Sequence, residues 1–164
     1  MFAQMVPAEF LAVVGKDRFV EAKDILDPLV WKRVSPALDL SAVDYIRLAE
    51  RQRTLETLVH DRTSQFDGWL VPTVPKLPAP FSKLQDVESA ALWNLNTTQN
   101  TRPGNVFGQC GVSLPIQHLR GVALPVGLQL SMQRGSDARL LQVAVLLEKI
   151  LEPGLRPDVG RFLN

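Results

Sequence analysis

The chain is poor in the residues that most often carry chemistry. Its 164 residues include one cysteine, Cys110, and two histidines, His60 and His118. A single cysteine excludes an internal disulfide and a thiolate-based zinc site, and it fits a reducing compartment. The two histidines have no spacing that suggests a metal site. Charge is nearly balanced, with a formal net of +1, so there is no electrostatic reason to expect nucleic acid or an anionic membrane as a partner. No apolar run approaches the length of a membrane span. The N-terminus lacks a basic segment followed by a long apolar stretch, which argues against a secretory signal and makes the cytoplasm the expected location. There is no internal repeat and no low-complexity segment.

What is present belongs to a soluble globular protein: 46% hydrophobic and 21% charged residues, in a length that suits one domain with a real core. The twelve prolines and ten glycines cluster in Pro72–Pro80 and Pro103–Gly127. Helical patterning covers Pro7–Val14 and Lys16–Val34, with Pro28 expected to break or kink the second segment and Asp24, Asp27 and Pro28 suggesting a turn. Ser41 and Asp44 have the spacing of a capping box. Val43, Ile46, Leu48, Leu55, Leu58 and Val59 then recur at helical spacing, which predicts a helix over about 42–64 with Leu55 and Leu58 facing the core. Trp69–Val71 reads as a short strand stopped by Pro72. The stretch from Pro72 to Pro80 holds four prolines among nine residues and is expected to be an ordered, extended loop. Leu84–Thr98 has helical character, and the tail from Glu152 is expected to be irregular.

The most informative stretch runs from Asn100 to Leu151. Val112–Leu114 and Val126–Met132 are short apolar runs bounded by proline and glycine, and they read as strands buried on both faces. The loop Ile116–Ala123 between them is polar. Ser136 is a candidate N-cap for a helix carrying Leu140, Leu141, Val143, Ala144, Leu147, Ile150 and Leu151. Strands separated by long connections suggest an α/β layout.

These residues carry a family resemblance. Asn100-Thr101-x-x-x-Asn105-x-x-Gly108, Ser113-Leu114-Pro115, Leu124-Pro125-Val126-Gly127-Leu128-Gln129-Leu130 and Gly135-x-Asp137-x-x-Leu140-Leu141 resemble the C-terminal part of the amidase-signature hydrolases. Upstream the resemblance takes in Asp67–Pro75, and also Ser41, Asp44, Tyr45 and Ile46 with Arg51 or Arg53. It implies a partial mixed β-sheet covered by helices, and three regions: a weakly matching helical segment 1–40, an amidase-like α/β region 41–151, and a tail 152–164. Gly108, Pro115, Pro125, Gly127 and Gln129 fall on the family's structural motif. The segment matching Thr101–Gly108 borders the acyl-side substrate pocket in the family, which makes Thr101, Arg102 and Asn105 candidate pocket residues. Two departures stand out. Cys110-Gly111 replaces a usual Pro-Ala, and no Gly-Gly-Ser-Ser stretch or Ser-Ser pair is present, so the Ser–Ser–Lys triad of the family has no counterpart here.

Each remaining candidate has a plainer reading. His60 is expected on a helix surface and His118 in a solvated turn. Cys110 has no visible base and is expected to be an inert buried thiol. Ser113 precedes Leu-Pro and reads as a strand residue. None of the lysines is flanked by enough apolar sequence for a desolvated catalytic amine. The polar run Trp93–Arg102 suits recognition of an amide or a carboxylate, although a helix end running into a capped turn is the reading its residues favour. Gln129 in an apolar strand is expected to be hydrogen-bonded if buried.

The chain is thus read as the C-terminal portion of an amide hydrolase that needs no metal or organic cofactor, inactive alone. The alternatives are a non-catalytic oligomeric module that kept the fold, and one half of a split amidase needing a partner chain with the Ser–Ser–Lys residues. Uncovered strand edges and apolar faces favour a homodimer.

Overall fold

The computed structural model describes residues 1–116 and 126–151. His118, Pro125 and the tail 152–164 lie outside them. The chain forms two compact units, each discontinuous in sequence: Met1–Arg62 with Pro78–Asn96, and Thr63–Leu77 with the chain from Thr97 onward. The regions drawn from the family match follow its extent along the sequence, whereas these units follow contacts.

The first unit is helical. It holds α1 (Phe2–Val14), α2 (Lys16–Glu21), α3 (Pro28–Val34), a 3-10 turn at Ser35–Asp39, most of α4 (Ala42–Thr63) and most of α5 (Val87–Thr97). Helix α1 begins five residues earlier than the patterning from Pro7 indicates, and Pro7 lies inside it. Pro28 acts as expected. It occupies the first turn of α3, where its missing N–H costs nothing, and the Asp27 carboxylate accepts from the Leu29 N–H at 2.7 Å. The core gathers Leu11, Phe19, Val34 and Ala37. Phe19 stacks on Trp31, with centroids 5.0 Å apart, and meets Phe10 edge-on at 6.2 Å.

Helix α4 corrects one expectation. Its start is capped as the spacing predicts, with the Asp44 N–H donating to Ser41 Oγ at 3.0 Å. Yet none of its residues is buried. Leu55 is half-buried, and Leu58, placed in the core by the sequence pattern, is 47% exposed. Period 3.6 identifies a helix with an apolar stripe, but whether anything covers the stripe is decided by other parts of a fold.

The second unit is built on a three-stranded sheet in the order β1-β3-β2: β1 is Trp69–Pro72, β2 is Cys110–Pro115 and β3 is Gly127–Met132. Both pairings are antiparallel, so the mixed sheet implied by the resemblance is represented among the described residues by an antiparallel piece. Only the central β3 is largely buried. β2 alternates between exposed positions and half-buried ones, with Leu114 alone buried. Burial on both faces therefore holds for most of β3 and fails for β2, whose Gly111, Ser113 and Pro115 are exposed.

The register sorts the sheet into two unlike faces, because side chains alternate along a strand. Trp69, Ser131 and Gly111 align, as do Val71, Gln129 and Ser113, and these share one face. Leu70, Leu130 and Val112 align on the other, with Met132 beside Cys110. Helix α7 (Asp137–Leu151) covers this apolar face through Leu140, Val143 and Leu147. Ser136 occupies the N-cap position, and its carbonyl accepts from the Leu140 N–H at 2.8 Å. Arg139 of α7 pairs with Asp67 ahead of β1.

Candidate functional site

The polar sheet face is where side chains with chemistry collect. Helix α6 (Arg102–Val106) precedes β2, with Thr101 at its N-cap and Pro103 in its first turn. It ends at Phe107. Gly108 follows with φ 59°, a left-handed conformation that glycine adopts without the Cβ penalty, and the Gln109 N–H reaches back to the Gly104 carbonyl at 2.8 Å. This short helix and tight exit bring α6 beside the start of the sheet.

The resulting cavity has a volume of about 290 Å³ and is lined by Thr101, Gly104 and Asn105, by Gln109 through Ser113, and by Gln129 and Ser131. Ser131 is fully buried and Gln129 nearly so, at 9% exposed. They satisfy one another, Gln129 Nε2 donating to Ser131 Oγ at 2.9 Å, as buried polar groups must. Gln109 Oε1 accepts from the Trp69 indole at 3.1 Å, which ties the α6 exit to β1. Ser113 Oγ shares a hydrogen bond with Thr73 Oγ1. Both hydroxyls crowd Gly127, where a Cβ would lie 2.5 Å from Ser113 Oγ and 2.6 Å from Thr73 Oγ1. Only a residue without a side chain fits that approach.

Of the candidate pocket residues, Thr101 and Asn105 line the cavity and Arg102 does not. The Arg102 guanidinium donates to Thr98 Oγ1 from Nε at 3.2 Å and from a terminal nitrogen at 2.9 Å. Asn105 Nδ2 donates to the Thr101 carbonyl at 3.2 Å, one helical turn back. Asn100 Nδ2 donates to the Pro72 carbonyl at 2.7 Å, holding the end of β1. Cys110 is half-buried, and its thiol faces the Gln133 carbonyl at 3.3 Å. His60 is exposed on α4. Among the described residues, no group of three His, Cys, Asp or Glu side chains is placed to hold a metal ion. No helix among them is long and apolar enough to cross a membrane.

Sequence reasoning missed Gln109 and Ser131. The signal for Ser131 was the alternation in Gly-Leu-Gln-Leu-Ser-Met, whose polar members fall two apart and so share a strand face. For Gln109 no local signal existed, because its partner Trp69 is distant in the chain.

A second cavity, in the helical unit, lies among Leu11, Lys16, Ala37 and Tyr45. The Tyr45 hydroxyl donates to Glu9 Oε1 at 3.0 Å. That hydrogen bond, with burial and the carboxylate charge adding to it, raises the phenol above its ordinary pKa. The Lys16 ammonium beside it donates to the Leu38 carbonyl at 3.0 Å.

Comparison with known proteins gives this geometry its class. No family profile matches the chain. The 2-amino-5-chloromuconic acid deaminase of Comamonas testosteroni is 33% identical over 150 residues, covering 90% of this chain and 32% of the relative. The mandelamide hydrolase of Pseudomonas putida is 33% identical over 93 residues, covering 57% of this chain and 18% of the relative. Among solved structures, 6-aminohexanoate cyclic dimer hydrolase complexed with substrate superposes with a TM-score of 0.64 at 27% identity, over 84% of this chain and 30% of that one. Sequence and fold agree on an amide-hydrolase relationship. The chain belongs to the amidase-signature family, and it spans a third or less of each of these three relatives.

Proposed function

We propose that the chain is the C-terminal portion of an amidase-signature enzyme that cleaves a carboxylic amide, and that it contributes one wall of the acyl-side pocket. The observation that carries this reading is the meeting of Thr101, Asn105, Gln129 and Ser131 on one cavity at the polar sheet face. Hydroxyls and carboxamides both donate and accept hydrogen bonds, so this wall can bind and orient a substrate whose carbonyl is attacked by a serine held elsewhere. Nucleophile and base have no counterpart in these residues, so this portion is silent alone. Its catalytic partner is the Ser–Ser–Lys part of such an enzyme, in the same polypeptide or in another, and the assembled protein works in the cytoplasm.

The test is to assay amide hydrolysis by the chain alone and after co-production with the Ser–Ser–Lys part of a homologous amidase. Turnover should appear only in the co-produced sample, and a serine-directed fluorophosphonate should leave the lone chain unlabelled. Stoichiometric labelling of the lone chain at Ser113 or Ser131 would overturn the reading.

A second reading is a non-catalytic homodimer. The feature that favours it is the outer stripe of α7, where Leu141, Val145, Leu146 and Ile150 are all more than half exposed, an arrangement that a helix apolar all round normally hides. Light scattering at micromolar concentration decides it: a monomer mass that persists on concentration removes the dimer.

A further inference from the structure

Resting on the reading of this cavity as a substrate pocket, we infer that it admits an uncharged hydrogen-bonding group and excludes a carboxylate. The polar run ahead of β2 suits either ligand, because it combines amides and hydroxyls with one guanidinium. The structure separates the two. The guanidinium of Arg102 is turned to Thr98 Oγ1, with both donating nitrogens within 3.2 Å of it, and Arg102 is absent from the lining. Among the described residues, every lining side chain is uncharged.

The remaining groups are of one chemical kind. Thr101, Asn105, Gln109 and Gln129 offer neutral donors and acceptors, and the fully buried Ser131 hydroxyl holds Gln129. Gln129 and Ser131 are buried, so a group that reaches Gln129 gives up part of its water. A carboxylate entering there loses hydration and meets no charged side chain among the described lining residues to offset the loss. A carboxamide, or a hydroxyl, exchanges its water contacts for hydrogen bonds of equal kind. This wall therefore discriminates by charge. For an amide substrate this places an uncharged group on the side that this wall receives.

The test is a titration of the full chain, labelled with nitrogen-15, with propionamide and separately with propionate at neutral pH. Propionamide should move the side-chain amide resonances of Asn105, Gln109 and Gln129, at a half-saturation about tenfold below that of propionate or lower, one decade in affinity. The variant Asn105→Lys places a cation on the exposed rim and should reverse the order of the two ligands. Propionate binding as well as propionamide to the wild type, or an unchanged order in Asn105→Lys, overturns the inference. So does the absence of shifts at these side chains with either ligand. None of these results touches the amidase reading, which stands or falls on turnover in the co-produced enzyme.

Discussion

The helical unit and the sheet unit solve the problem of burial differently. The helical unit closes its core around one aromatic side chain, with Phe19 between Trp31 and Phe10. It leaves Val43, Ile46 and Leu58 of its longest helix exposed. The sheet unit instead closes around β3, which presents Leu130 and Met132 to α7 and Gln129 and Ser131 to the cavity. A helix needs a covering partner on one stripe only. A central strand needs partners on both faces, and its second face can be polar if its hydrogen bonds are made within it. The difference bears on where the candidate site lies. In the sheet unit a polar face backs the strand that carries the apolar core, and the candidate cavity lies on that face.

The largest expected effect breaks the helical unit. Phe19 is 2% exposed and makes both aromatic contacts of its core. Phe19→Ala should destabilise by about 3–5 kcal/mol through lost transfer energy and the cavity left behind. Hydrogen exchange of the full chain reads the comparison directly. Protection should fall across α1 and α3 before it falls across β3. Equal loss everywhere would mean that the two units unfold as one.

The counterpart in the sheet unit is subtler, because it separates the two faces. Gly127→Ala forces a Cβ against Ser113 Oγ and Thr73 Oγ1. Overpacking of this kind costs about 1–3 kcal/mol. The displacement lies on the cavity side of the sheet, so the packing of Leu130 and Met132 on α7 should survive. Thermal melts and the resonances of Leu140 check this, with the Leu140 signals expected to stay in place while those of Ser113 move. Shifted Leu140 signals would show that the faces are coupled through the backbone of β3.

Leu58→Ala carries a smaller expectation. At 47% exposed, Leu58 loses little when truncated, within about 0.5 kcal/mol as for most surface substitutions. A melt lowered as far as by Phe19→Ala would show that α4 is covered in solution. That position also marks how much of the fold could be read in advance. The ends of α4 and the turn at Asp27-Pro28 were legible because capping and proline chemistry are local. The strands at β2 and β3 were legible from apolar runs bounded by proline and glycine. The burial of Leu58 was not, since covering a stripe depends on residues far away in the chain or outside it. The site divides the same way. Thr101 and Asn105 stood out through the family resemblance, and Gln129 through its apolar neighbours. Arg102 looked equally apt, and only its geometry with Thr98 removes it from the lining.

The smallest effect tests whether the helical unit depends on its caps as the sheet unit depends on its pairings. Asp86 precedes α5, and its Oδ1 accepts from the Ser89 N–H at 2.8 Å. Hydrogen bonds from the Ser89 side chain and then its backbone hold the Asp86 carboxyl below its ordinary pKa. A carboxyl depressed in the folded state binds its proton more readily when unfolded. Its contribution is therefore complete above the unfolded pKa and is lost as pH falls through the folded one. Asp86→Asn keeps an acceptor for the Ser89 N–H but cannot titrate. The wild type should melt above the variant at about pH 6, and the gap should narrow as the pH falls through the ordinary aspartate value and on towards the lower folded one. Taking the difference cancels the other carboxylates, which titrate alike in both proteins. A gap that stays constant over this range would show that the carboxylate charge adds nothing to the start of α5, leaving that helix to its packing alone.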